Sequence, residues 1–98
     1  MSVTLWLNTE KEETIELGPT LAVYQSFAEM DSVAGNWDEE YPDLSGVLVQ
    51  CEWQEDADPE WLAGVKKQSL AFLAKYGDHL SDFTHRLLAM LAHGEPTP

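Results

Sequence analysis

The sequence predicts an α+β domain: a small three-stranded antiparallel sheet, with elements in the order β-β-α-β-α-α, packed against helices and closed by a C-terminal helical hairpin. Three observations carry this expectation. Short stretches near the start and the middle of the chain alternate apolar and polar residues with the period of two that marks half-buried strands. Three other stretches repeat their apolar residues at spacings of three and four, the period of an amphipathic helix. Finally, 98 residues of which 44% are hydrophobic are enough for one core and too few for two, so residues 1–94 are read as one domain and Glu95-Pro96-Thr97-Pro98 as a frayed tail.

In chain order, Val3, Leu5 and Leu7 alternate with Thr4, Trp6 and Asn8, which predicts the first strand. A charged connection from Asn8 to Glu13 leads to Thr14-Ile15-Glu16-Leu17, a second alternating piece, and the pair is expected to form an antiparallel hairpin ended by Gly18-Pro19. Leu21, Tyr24, Phe27 and Ala28 then predict a helix from Thr20, as N-cap, to about Asp31. The stretch from Gly35 to Gly46 is broken by Pro42 and reads as a loop of twelve residues, a length that usually signals a functional or mobile segment. After it, Val47, Val49, Cys51 and Trp53 alternate with Leu48, Gln50, Glu52 and Gln54 and predict the third strand, with Cys51 as a small buried hydrophobe.

Asp58-Pro59-Glu60 is a strong helix start, with Asp58 as N-cap, proline at the first helical position and an acid in the first turn. Trp61, Val65, Phe72 and Tyr76 form the apolar stripe of that helix, and Ala63, Gly64, Ala71 and Ala74 form a small-residue edge that suits close packing against the last helix or across a two-fold axis. Gly77 is expected as a left-handed C-terminal residue and Asp78 as the N-cap of a final helix running from His79 to His93.

Charge narrows the function. Eighteen acids against five bases give a formal −13, which disfavours nucleic-acid and anionic-membrane partners because both need Lys/Arg patches. The excess is local. Residues 1–60 hold fifteen acids and one base, a net −14, whereas residues 61–98 hold three acids and four bases, a net +1. Between Glu29 and Glu60 there are eleven acids and no base. A habitat-driven acidic surface would spread over the whole chain, so the asymmetry points to a local cause. Two like charges about 10 Å apart in water repel by about 0.4 kcal/mol, so the cluster is tolerated at some cost.

The segment Asn36 to Ser45 sets Trp37 and Tyr41 among Asp38, Glu39, Glu40 and Asp43. Flat apolar rings ringed by fixed charge suit an electrostatically steered interface, so the expected function is a non-catalytic module that binds a basic protein partner, with the two rings as contact anchors and the four acids steering. The competing reading is that the rings cap the core and the acids only solubilise. A second class of function, a small-molecule or divalent-cation site, rests on the clustered carboxylates or on Asp78, Asp82 and His85, which fall on one face if a single helix carries all three. Asp56, Asp58 and Glu60 do not form an EF-hand, because its sixth and twelfth positions would be Trp61 and Lys67 in place of glycine and glutamate. A third class is a purely structural or self-assembling domain, monomeric or a weak homodimer.

No nucleophile–base pair, serine elbow or phosphate-binding glycine loop is present, so neither catalysis nor a cofactor is expected. A lone cysteine excludes an internal disulfide. The amino terminus lacks the basic and apolar regions of a secretory signal, which makes the cytoplasm the expected compartment.

Overall fold

The computed structural model describes residues 2–8, 13–53 and 56–93, without the side chains of Asn8 and of residues 51–53. The expected loop at 9–12, the tail at 95–98 and the environment of the Cys51 thiol lie outside what is described.

Strand β1 (Ser2–Asn8) pairs antiparallel with β2 (Glu13–Pro19). Leu5 stands opposite Ile15 on the buried face, and Thr4 stands opposite Glu16, and Trp6 opposite Thr14, on the other. The hairpin therefore follows the alternation of the sequence. It is a two-stranded sheet and not the three-stranded one expected.

The third strand is replaced by helix. After α1 (Thr20–Ala34), the chain forms two short helices, α2 (Trp37–Glu40) and α3 (Pro42–Ser45), and then α4 (Val47–Trp53). Gly46 keeps right-handed helical angles, φ −77° and ψ −7°, and its carbonyl accepts from Gln50 N at 3.0 Å, so α3 runs almost directly into α4. Burial along α4 confirms the period. Val47 is fully buried and Leu48 partly so, while Val49, which a strand would turn inward beside Val47, is 61% exposed. Seven residues are too few to separate the two periods, and here the helical continuity through Gly46 decides between them. Among the described residues, what continues the sheet past β1 is a parallel bridge between Trp6 and Asp56, with Ala57 N donating to Trp6 O at 3.0 Å.

Helix α5 (Pro59–Tyr76) starts as the sequence reads: Asp58 Oδ1 accepts from Glu60 N at 2.9 Å and Pro59 occupies the first position. Its end differs from expectation. Gly77 is right-handed, φ −54° and ψ −36°, and the chain passes through a 3₁₀ turn, Gly77–His79, before α6 (Asp82–His93). The corner is thus turned without a left-handed residue, and Ser81, not Asp78, stands before α6. At the other helix end, Gly35 has φ +67° and its N–H donates to Asp31 O at 2.9 Å, closing α1 where a side chain would be strained.

One apolar cluster joins these elements. Val3, Leu5, Ile15 and Leu17 from the hairpin meet Val23, Phe27 and Met30 of α1, Val65 and Phe72 of α5, and Leu87, Leu88 and Leu91 of α6. Trp37, Tyr41, Leu44 and Val47, all from the stretch expected to be loop and strand, belong to the same cluster. Among the described residues no helix is long and apolar enough to cross a membrane.

Candidate functional site

The acidic segment is a pair of docked helices. Trp37 and Tyr41 are one helical turn apart and therefore point the same way, into the body. The Trp37 ring stacks on Phe27 of α1, with centroids 5.2 Å apart and planes at 24°, and the Tyr41 ring meets Phe72 of α5 edge-on at 5.3 Å and 69°. Such pairs add about 0.5–1.5 kcal/mol each beyond burial. The exposures of 7% for Trp37 and 8% for Tyr41 correct the expectation that these rings are contact anchors, since neither presents a face to a partner. Burial pushes the Tyr41 hydroxyl above its usual range, with Lys75 opposing and Glu40 adding to the shift.

With both rings turned inward, the remaining residues of α2, Asp38, Glu39 and Glu40, are left outward and all three are exposed. Asp43 does not join them. It lies half-buried at the start of α3, where its N–H and that of Leu44 both donate to Gln68 Oε1, at 3.0 and 3.1 Å, and its Oδ2 accepts from Gln68 Nε2 at 3.1 Å. Tyr41, at the N-cap position of α3, has no side-chain cap hydrogen bond, and Gln68 of α5 fills that role.

The carboxylate of Asp43 rests on Gly64, where a Cβ would lie 2.0 Å from Oδ2 and 2.8 Å from Cγ. The glycine of the small-residue edge thus serves the approach of α3, while Ala63, Ala71 and Ala74 are exposed.

The acidic turn before α5 sits close by. Gln50 Nε2 donates to Asp56 O at 3.0 Å, and the Trp61 indole nitrogen lies against Gly46, 3.6 Å from where its Cβ would be. Asp56, Asp58 and Glu60 are exposed beside the junction of α3 and α4. Across from α2, Lys75 stands 5.3 Å from the Tyr76 ring centroid, and Tyr76, followed by Glu40 and Tyr41, favours its charged form.

The alternative cation ligands do not share a helix. Asp78 lies in the 3₁₀ turn and Asp82 opens α6, so the projection that aligned them with His85 does not apply. Asp82 instead pairs with Arg86 at 3.5 Å, both largely exposed, and such a pair adds little stability. Among the described residues no group of three His, Cys, Asp or Glu side chains is placed to hold a metal ion.

A second polar cluster was not foreseen. Glu29 of α1 reaches the start of α6, where Oε1 accepts from Ser81 N at 2.5 Å and Oε2 accepts from the Ser81 and Thr84 hydroxyls at 2.8 and 2.6 Å. Burial opposes its ionisation, but the hydrogen bonds from Thr84 and Ser81 outweigh that and hold the Glu29 carboxyl below the usual glutamate range. In a capping box the glutamate sits three residues into the helix and reaches back to the N-cap N–H. Here that position is Thr84, whose N–H donates to Ser81 Oγ at 3.4 Å, and Glu29 supplies the carboxylate from another helix, so only the serine half of the motif is local. Gly64 did carry a signal, because an isolated glycine inside a helix of good formers implies a close neighbour.

No family model, no curated protein and no solved structure matches the chain.

Proposed function

We propose that the protein is a non-catalytic binding module that engages a basic partner protein through the exposed carboxylates Asp38, Glu39 and Glu40, with Asp56, Asp58 and Glu60 extending the same negative field. The observation that carries this reading is the division within α2: both rings are buried and all three acids face water. A solubilising surface needs no such arrangement, since charges on frayed termini or long side chains scattered over the body would serve. Carboxylates grouped on a helix whose aromatic side chains are locked in the core keep a fixed negative potential, and such a potential raises encounter rates with a basic surface far more than it raises final affinity.

The test uses immobilised protein and its Asp38→Asn/Glu39→Gln/Glu40→Gln variant, each exposed to lysate of the source cell at low and at high salt. Basic proteins held by the native chain at low salt, lost at high salt and not held by the variant are the expected result. Identical sets on both surfaces would remove the role assigned to α2.

A further inference from the structure

We infer that Gln68 and Gly64 are positioning residues for the acidic face, and that Asp43 belongs to this positioning apparatus and not to the steering charges. The inference rests on the binding role proposed for α2 and adds how that helix is held. Its basis is geometric. One neutral side chain, Gln68, makes three hydrogen bonds to the first turn of α3, two through Oε1 to the Asp43 and Leu44 N–H groups and one through Nε2 to Asp43 Oδ2. The carboxylate so held lies where any side chain on residue 64 would stand, 2.0 Å from the position of a Cβ. The amide and the glycine are four residues apart on α5, hence on the same face one turn from each other. Together they form a socket fitted to the start of α3.

Position is passed from α3 to α2 through one intervening residue, while the Trp37 ring on Phe27 holds the other end of α2. Tyr41 caps the end of α2 and precedes α3, its N–H donates to Trp37 O at 2.7 Å, and its ring is fixed on Phe72. With α3 fixed at one end and the Trp37 ring on Phe27 at the other, the orientation of Asp38, Glu39 and Glu40 is set. The chemistry of the socket also suits its place. A carboxylate in the position of Gln68 would repel Asp43, and a lysine there would neutralise part of the field that the acids generate, whereas an amide caps the helix and leaves the charge unchanged.

A fixed row of charges binds with less ordering cost, which shows in dissociation, whereas steering depends on total charge and shows in association. The experiment therefore reads both, with a short oligolysine peptide as probe and amide hydrogen exchange of the free protein as a partner-independent measure. Gln68→Ala, which changes no charge, is expected to raise exchange at Leu44 and across 37–41 by about tenfold, to speed dissociation of oligolysine several-fold and to leave its association rate within about twofold. Asp43→Asn, whose amide oxygen can still accept from Gln68 Nε2, is expected to keep both exchange and association near native values.

Unchanged exchange in Gln68→Ala overturns the socket whatever the binding result. An association rate lowered by Asp43→Asn as much as by Glu39→Gln makes Asp43 a steering charge and overturns its assignment. If replacing all three acids of α2 leaves oligolysine binding unchanged while Gln68→Ala still loosens 37–44, the binding role fails and the socket stands as a purely structural device, which also overturns the inference as a functional one.

Discussion

The starts of α3 and α6 are each held by a side chain from another helix, at α6 in addition to the local cap in which Ser81 Oγ accepts from Thr84 N at 3.4 Å. At α3, Gln68 of α5 accepts the Asp43 and Leu44 N–H groups. At α6, Glu29 of α1 accepts the Ser81 N–H and the Ser81 and Thr84 hydroxyls. The difference lies in charge. The start of α6 belongs to the nearly neutral part of the chain, and a carboxylate is used, which also complements the positive end of the helix dipole. The start of α3 belongs to the acidic part, next to Asp43 and one residue beyond Asp38-Glu39-Glu40-Tyr41, and a neutral amide is used. The helix is capped there without adding negative charge, an arrangement local to α3, since the equally acidic turn before α5 is capped by the Asp58 carboxylate.

The comparison is broken most strongly at α6. Glu29→Ala leaves the Thr84 hydroxyl, on a residue only 1% exposed, without its carboxylate partner and frees the Ser81 N–H, which is expected to cost about 2–3 kcal/mol in denaturant unfolding. Its pH dependence separates the two caps. Because the folded carboxyl titrates below its ordinary range, the contribution of Glu29 is fully present above that range and is lost as pH falls through it toward the lower folded value. Stability of the native chain should therefore fall more steeply with acid than that of Glu29→Gln, whereas Gln68→Ala should shift the whole profile without changing its slope from this source.

At α3 the expected effects are smaller. Gln68→Ala leaves two backbone donors to water or to no partner and is expected to cost about 1–2 kcal/mol. Gly64→Ala sets two terms against each other. Alanine in a helix interior gains about 1 kcal/mol over glycine, but its Cβ displaces the Asp43 carboxylate from Gln68, at about 1–2 kcal/mol. A net loss of up to about 1 kcal/mol is expected in the native chain, and a gain of about 1 kcal/mol when the same substitution is made on Asp43→Ala. A gain in both backgrounds would show that the contact between Asp43 and Gly64 carries no energy.

These caps also explain which parts of the fold the sequence reveals. Val3, Leu5, Ile15 and Leu17 state the hairpin because strand alternation is local, and Asp58-Pro59 states the start of α5 because its cap is two residues from its donor. The start of α3 is silent because its acceptor lies 24 to 25 residues away, and at α6 only the Ser81 cap on Thr84 N is local, Glu29 lying 52 to 55 residues away. Residues 47–53 mislead because Val47, Val49, Cys51 and Trp53 alternate, while the continuity of helix through Gly46 is set by the preceding turn. Of the acidic segment, the sequence shows which residues are charged and which are aromatic. It does not show which way they face, and the short helix that turns Trp37 and Tyr41 inward is decided by the Phe27 and Phe72 rings waiting for them.

The division of α2 into a buried aromatic side and an open acidic side is tested most directly by the ionic-strength dependence of association between the native chain, or its Asp38→Asn/Glu39→Gln/Glu40→Gln variant, and oligolysine. The account predicts about tenfold slower association of the variant at low salt, with the two rates converging once the screening length falls to about 3 Å near 1 M salt. Equal rates at every ionic strength would contradict it.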